Sequence, residues 1–105
     1  MRGQTLAEKI LSHAAGKAVR AGDLVVVDCA LVMIVDSVAQ SVIKTLTKEL
    51  GVTKFPHPER ITFVIDHVAP APTVQVAEGQ AELRRYARQH NLQVFEVGRG
   101  ICHQV

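Results

Sequence analysis

The sequence predicts an α/β fold, a three-layer arrangement in which a mostly parallel sheet carries helices on both faces. Three observations carry that expectation. Apolar runs of strand length recur at Leu24 to Asp28, Leu31 to Val35, Ile61 to Ile65 and Leu92 to Val97. Segments with helix caps and apolar positions spaced about four apart lie before or between them. Strands joined through helices pair in parallel, because such crossovers are nearly always right-handed and join neighbours. At 105 residues the chain is expected to be a single α/β segment over positions 1–105, built around one modest core.

The first helix is announced by Thr5-Leu6-Ala7-Glu8, a capping box in which threonine hydroxyl and glutamate carboxylate satisfy each other's free backbone N–H groups. Leu6, Ile10 and Ala14 share its apolar face, and Gly16 is placed to close it in a left-handed conformation. Ala21-Gly22-Asp23 supplies turn chemistry before the first predicted strand, Leu24 to Asp28, and Leu31 to Val35 reads as a second. Asp36 or Ser37 can cap the next helix, where Val38, Val42, Leu46 and Leu50 repeat every four residues and Gly51 follows the end. Phe55-Pro56-His57-Pro58 breaks regular structure, since each proline removes a donor and restricts its predecessor. Ile61 to Ile65 is a continuous strand of the kind buried on both faces. Beyond Pro70 and Pro72, Thr73 can cap a helix to about His90, with Val76, Leu83 and Ala87 inward and Gly79 weakening its middle. Asn91 is a stop, and Leu92 to Val97 is the last strand. The expected order is α-β-β-α-β-α-β.

Composition excludes several classes of function. Twelve basic against ten acidic side chains leave a charge of +2, too small and too mixed for a nucleic-acid footprint. The longest apolar segment, Ala30 to Val35, falls far short of the ~20 residues of a membrane helix. No secretory leader is recognisable, so a cytoplasmic location is expected, where Cys29 and Cys102 would be free thiols rather than a disulfide. They make no close metal pair, and the histidines lack the spacing of a metal set. His13, His57 and His90 read as solvated.

Chemistry gathers at two places. Ligands of parallel α/β sheets collect beyond the carboxyl ends of the strands. Asp66-His67 sits there after the Ile61–Ile65 run, and His103 follows the last strand on a turn built by Gly98 and Gly100. If those strands are neighbours, their ends lie about 5–10 Å apart, and both rings can reach one small ligand. An Asp beside a His can set the ring's tautomer and support its protonated form, which suits a general acid or base. Adjacent strand residues point to opposite faces, however, so that pairing requires the chain to leave strand geometry at Asp66. The plainer alternative is that Asp66 caps a turn and His67 is a surface residue. Gly98-Arg99-Gly100 lacks the further glycines and helix of a phosphate loop, and Cys102 beside His103 lacks the geometry of a thiol enzyme.

Taken together, Thr5-Leu6-Ala7-Glu8-Lys9-Ile10-Leu11, Asp66-His67-Val68-Ala69-Pro70 and Gly98-Arg99-Gly100-Ile101-Cys102-His103-Gln104 resemble, in order and spacing, the N-terminal part of aconitase-superfamily large subunits. The branch most similar is that of homoaconitase and 3-isopropylmalate dehydratase. The resemblance implies a hydro-lyase that moves water on a small hydroxy-polycarboxylate with a [4Fe-4S] cluster as Lewis acid. It belongs to lysine biosynthesis in the homoaconitase reading and leucine biosynthesis in the alternative. By the same resemblance Asp66 and His67 assist departure of the substrate hydroxyl, and His103 is a second histidine beside the cluster. Val35 stands where the citrate-acting members carry a glutamine, which favours the homoaconitase or isopropylmalate side. In the family the three cluster cysteines lie downstream, and the serine base sits on a further domain or on a small, swivel-domain subunit. Cys29 and Cys102 match none of those ligands, so the chain is expected to hold no cluster and to be inactive alone. A second class of function is a free-standing α/β binding module that self-associates through uncovered apolar surface or a strand edge.

Overall fold

The computed structural model describes residues 3–101 and 104. The chain divides into two compact units, Met1–Ala30 and Leu31–Val105.

The first unit is organised by α1, Leu6–Ala15. Its capping box forms as read from sequence: Glu8 N–H donates to Thr5 Oγ1 at 3.2 Å, and Thr5 N–H donates to Glu8 Oε2 at 2.8 Å. Gly16 closes the helix at φ 66°, the left-handed region that glycine enters without a Cβ penalty. The Glu8 carboxylate also accepts the Ala21 N–H at 3.0 Å, and these backbone donors, Thr5 first, hold it below the ordinary carboxylate range. Ser12 ties the returning chain by accepting the Val19 N–H at 2.8 Å. The expected strand over Leu24 to Asp28 does not form. Leu24 and Val26 are more than 90% exposed, and the segment has no ladder partner among the described residues; β-propensity acts through packing and pairing, and neither is present here.

The second unit is a parallel sheet in the order β1 (Val32–Val35), β2 (Ile61–Val64), β3 (Gln93–Phe95). Its register sets Ile34 against Phe63 and Phe63 against Val94. The crossovers run through α2 (Asp36–Lys44) and α3 (Val74–His90). The expected parallel α/β class is the one that forms, with both crossover helices on one face of the sheet rather than on both as expected. Two same-sense crossovers along one strand order place both helices on the same face, and α2 and α3 pack on each other there. One continuous core results: Ala39 and Ile43 from α2, Phe63 and Ile65 from the β2 segment, Leu83, Tyr86 and Ala87 from α3, and Leu92.

The helix faces differ from expectation in instructive ways. In α2 the buried stripe is Asp36, Ala39 and Ile43, while Val38 is 47% exposed. The apolar repeat at Val38, Val42 and Leu46 lies one position to the side of it. The helix widens into a π-helical turn at Thr45–Glu49, where Leu50 N–H bonds Thr45 O at 2.9 Å, before Gly51 leaves at φ 63°. In α3 the stripe is Val76, Gln80, Leu83 and Ala87, with a glutamine among the apolar residues. His90 is half-buried rather than fully solvated; its ring centroid lies 4.3 Å from that of Tyr86 and 5.4 Å from that of Phe55. No helix among the described residues is long and apolar enough to cross a membrane.

Candidate functional site

Two adjacent parallel strands each run out into an aspartate. Asp36 follows Val35 at the end of β1, and Asp66 follows Ile65 just beyond β2. Both acids therefore emerge at the carboxyl edge of the sheet, where loops converge.

The ladder of β2 continues one residue past Val64, with Ile65 N–H donating to Phe95 O at 3.0 Å. The backbone then abandons strand geometry: Asp66 is irregular, His67 and Val68 lie in a turn, and the Ala69–Pro70 peptide is cis. That departure removes the opposition between neighbouring side chains. Asp66 Oδ1 and His67 Nδ1 meet at 2.6 Å. An ionised carboxylate can only accept, so Nδ1–H donates and the tautomer is set by Asp66. The Asp66 side chain is 10% exposed and that of His67 38%, which places a nearly buried acid behind a ring that reaches solvent.

Behind this pair lies a carboxylate that sequence reading treated only as a helix cap. The Asp36 side chain has no exposed surface. Its Oδ1 accepts the N–H of Ser37 at 3.0 Å and of His67 at 3.2 Å, and its Oδ2 accepts the N–H of Val68 at 3.1 Å. His67 Nδ1 stands 4.0 Å from Oδ1. From α3, the buried Gln80 donates Nε2–H to Val68 O at 2.9 Å. A cavity of about 210 Å³ adjoins the turn, bounded by Asp36, Ser37, Gln40 and Val68 and by Val76, Gly79 and Gln80 of α3. Two signals could have found these residues. Both apolar strands end in Asp, and position 80 continues an otherwise apolar stripe.

His103, the remaining predicted site residue, lies outside the described residues, as does Cys102. The turn that leads to it is described: Gly98 has φ 86° and Gly100 φ 132°, conformations that favour glycine, and Arg99 N–H bonds Glu96 O at 3.2 Å.

Ligand atoms of Asp36, Asp66 and His67 stand within 4.8 Å of one another. The set is oxygen and nitrogen, and both Asp36 oxygens already accept backbone N–H groups. An iron–sulfur cluster is held by thiolates. The chain has two cysteines, of which Cys29 is exposed in the first unit. These residues do not fit a [4Fe-4S] cluster.

Comparison with known proteins shows what this chain is similar to. The chain is 54% identical over 103 residues to the homoaconitase large subunit of Thermus thermophilus, covering 98% of this chain and 24% of that protein. Over nearly its whole length this chain is similar to the large subunits of homoaconitase and 3-isopropylmalate dehydratase. Large subunit 1 of 3-isopropylmalate dehydratase from Deinococcus radiodurans is 55% identical over 104 residues, 99% of this chain and 24% of its own. The corresponding subunit of Herpetosiphon aurantiacus is 50% identical over 105 residues, 98% of this chain and 25% of its own. The chain thus spans about a quarter of the length of the large subunits it matches. No family model matches it.

Proposed function

We propose that this homoaconitase-type chain supplies acid–base groups to a hydro-lyase that removes water from a small hydroxy-polycarboxylate and returns it at the neighbouring carbon. The reaction read first is interconversion of homocitrate and homoisocitrate through homoaconitate. The observation that carries the reading is the 2.6 Å contact between Asp66 and His67 at the carboxyl edge of the sheet.

Hydroxide is a poor leaving group, so its departure calls for a proton donor. In the dehydration, His67 Nε2–H delivers its proton to the substrate hydroxyl, the C–O bond breaks and the electron pair leaves with water. The proton on the adjacent carbon goes to a base outside these 105 residues, and a C=C bond forms. Asp66 holds Nδ1–H throughout, so the ring changes charge without turning. Hydration uses the same groups in the reverse sense, with water added to the neighbouring carbon of the C=C bond and the proton returned to the carbon that lost the hydroxyl. His103 is proposed as a second imidazole at this rim. A [4Fe-4S] cluster, which the family resemblance implies for the full large subunit, would take its thiolates from residues other than those of this chain. A small subunit and a cytoplasmic setting complete the proposal.

The test is turnover of the assembled enzyme carrying His67→Asn or Asp66→Asn, followed by ultraviolet absorbance of the unsaturated acid. Loss of about 10²–10⁴-fold in kcat is expected for each; unchanged turnover in a folded, assembled variant overturns the assignment. Running homocitrate and 3-isopropylmalate side by side decides between the two family activities. A second reading, self-association of a binding module, is favoured by the exposure of Leu24 and Val26. A defined dimer by light scattering supports it, and a monomer removes it.

A further inference from the structure

We infer that Asp36 and Gln80 form a two-sided clamp on the Val68 peptide and are positioning residues for the Asp66–His67 pair. The inference rests on the hydro-lyase reading for its functional meaning, though not for its geometry.

Among the described residues, Asp36 and Gln80 are the two buried polar side chains. Burial of such groups is costly unless their hydrogen bonds are made inside the protein. Both direct those bonds to one turn. Asp36 Oδ2 accepts the Val68 N–H at 3.1 Å, while Gln80 Nε2 donates to the Val68 carbonyl at 2.9 Å. The two polar groups of residue 68 are thus held by side chains from α2 and α3, 32 and 12 residues away in sequence. Asp36 Oδ1 takes the N–H of His67 as well, at 3.2 Å.

Ordinary helix capping does not explain this arrangement. The N-cap of α2 is Val35, and no side chain caps the helix there. An aspartate serving only its own helix would spend its oxygens on nearby N–H groups, whereas two of the three donors to Asp36 come from the turn beyond β2. The turn needs such support because it carries a ring whose working nitrogen must be held within a fraction of an ångström. Displacement of about 1 Å in a catalytic group costs roughly 100-fold in rate. Asparagine cannot replace Asp36, since an amide accepts on one side only and would place its NH₂ against an N–H. Methionine at position 80 fills the glutamine's volume and removes the donor.

The experiment uses Asp36→Asn and Gln80→Met in the assembled enzyme. Three readouts are kinetic constants, thermal unfolding and ¹⁵N spectra of labelled histidine. The expected result is a fall in kcat of about 10–100-fold with little change in KM. It is accompanied by loss of the single Nδ1–H tautomer at His67, in protein that remains folded at the assay temperature. A variant that melts lower yet keeps both kcat and the tautomer overturns the clamp, as does one that loses turnover while its His67 spectrum is unchanged. If Asp36→Asn does not fold, Gln80→Met decides by the same criteria. If the wild-type enzyme shows the single tautomer, and both variants lose it, but no hydro-lyase activity exists, the proposed function fails and the clamp stands.

Discussion

Arg84 of α3 grips Glu96, just past β3, through two parallel hydrogen bonds: Nε to Oε1 at 2.8 Å and Nη2 to Oε2 at 2.9 Å. The planar fork matches the carboxylate edge, and it ties the end of the last strand to the helix before it. The Arg84 hydrogen bonds are the main reason Glu96 is held below its ordinary value of about 4.5, and Arg84 is raised in turn. A carboxylate with a depressed folded-state pKa contributes stability that is present above the unfolded value and lost as pH falls through the folded one.

Replacing Arg84 by Met is therefore expected to cost up to about 1 kcal/mol at neutral pH. Both side chains are about one-third or more exposed, so solvent screening keeps the figure small. The difference from wild type should begin to shrink as pH falls below the ordinary carboxylate value of about 4.5, and disappear once pH passes the lowered value at which Glu96 is protonated in the folded protein. Urea unfolding at several pH values measures it, and a gap independent of pH in that acid range would contradict the pairing.

A β-carbon at position 79 would stand 2.6 Å from Gln40 Nε2 and 2.9 Å from Gln40 Cδ. Gly79 lies inside α3, where alanine normally gains roughly 0.5–1 kcal/mol over glycine. Gln40 is exposed, and its hydrogen bond to Glu82 is long at 3.4 Å, so its tip can move aside. Gly79→Ala is expected to be near neutral alone and to show most of the alanine gain in a Gln40→Ala background. Equal effects in the two backgrounds would mean that the contact carries no energy.

Leu83 is 1% exposed at the centre of the core between α2, α3 and β2. Leu83→Ala removes buried methyl groups and leaves a cavity, with an expected loss of about 2–5 kcal/mol. A loss below about 1 kcal/mol, read from the denaturation midpoint at constant m, would mean the site collapses around the smaller side chain.

In the first unit, Thr5→Ala deletes the hydroxyl that accepts the Glu8 N–H. The expected cost is about 0.5–2 kcal/mol of α1 stability. Amide exchange should quicken across the first turn of Leu6–Ala15, and unchanged protection there would show that the cap is idle.

Much of this architecture was legible because it is local. Thr5 and Glu8 find each other three residues apart on one helical turn, and Thr73 meets the Val76 N–H in the same way. The run from Ile61 announces a buried strand through side-chain type alone. The expected strand at Leu24 to Asp28 failed because strand formation needs a neighbour, which local composition does not supply. The α2 face was misjudged by one position because Val38 is apolar yet exposed, whereas Asp36 is charged yet buried. A hydropathy pattern ranks residues by transfer cost and is blind to hydrogen bonds made in the folded state.

The candidate site divides along the same line. Asp66 and His67 could be picked out as neighbours after an apolar run, because the chain itself brings them together. Asp36 and Gln80 reach Val68 only through the parallel pairing of β1 with β2 and the packing of α3 across the sheet. From residue order alone came the parallel α/β class, the helix termini, the resemblance to the large-subunit family and the acid–imidazole pair. Tertiary structure alone decided that the chain leaves β2 in time to join that pair, and that a buried carboxylate and amide hold the turn on which it stands. The reason is physical: local signals act over a few residues, while the donors and acceptors that satisfy a buried polar group arrive from wherever the fold delivers them.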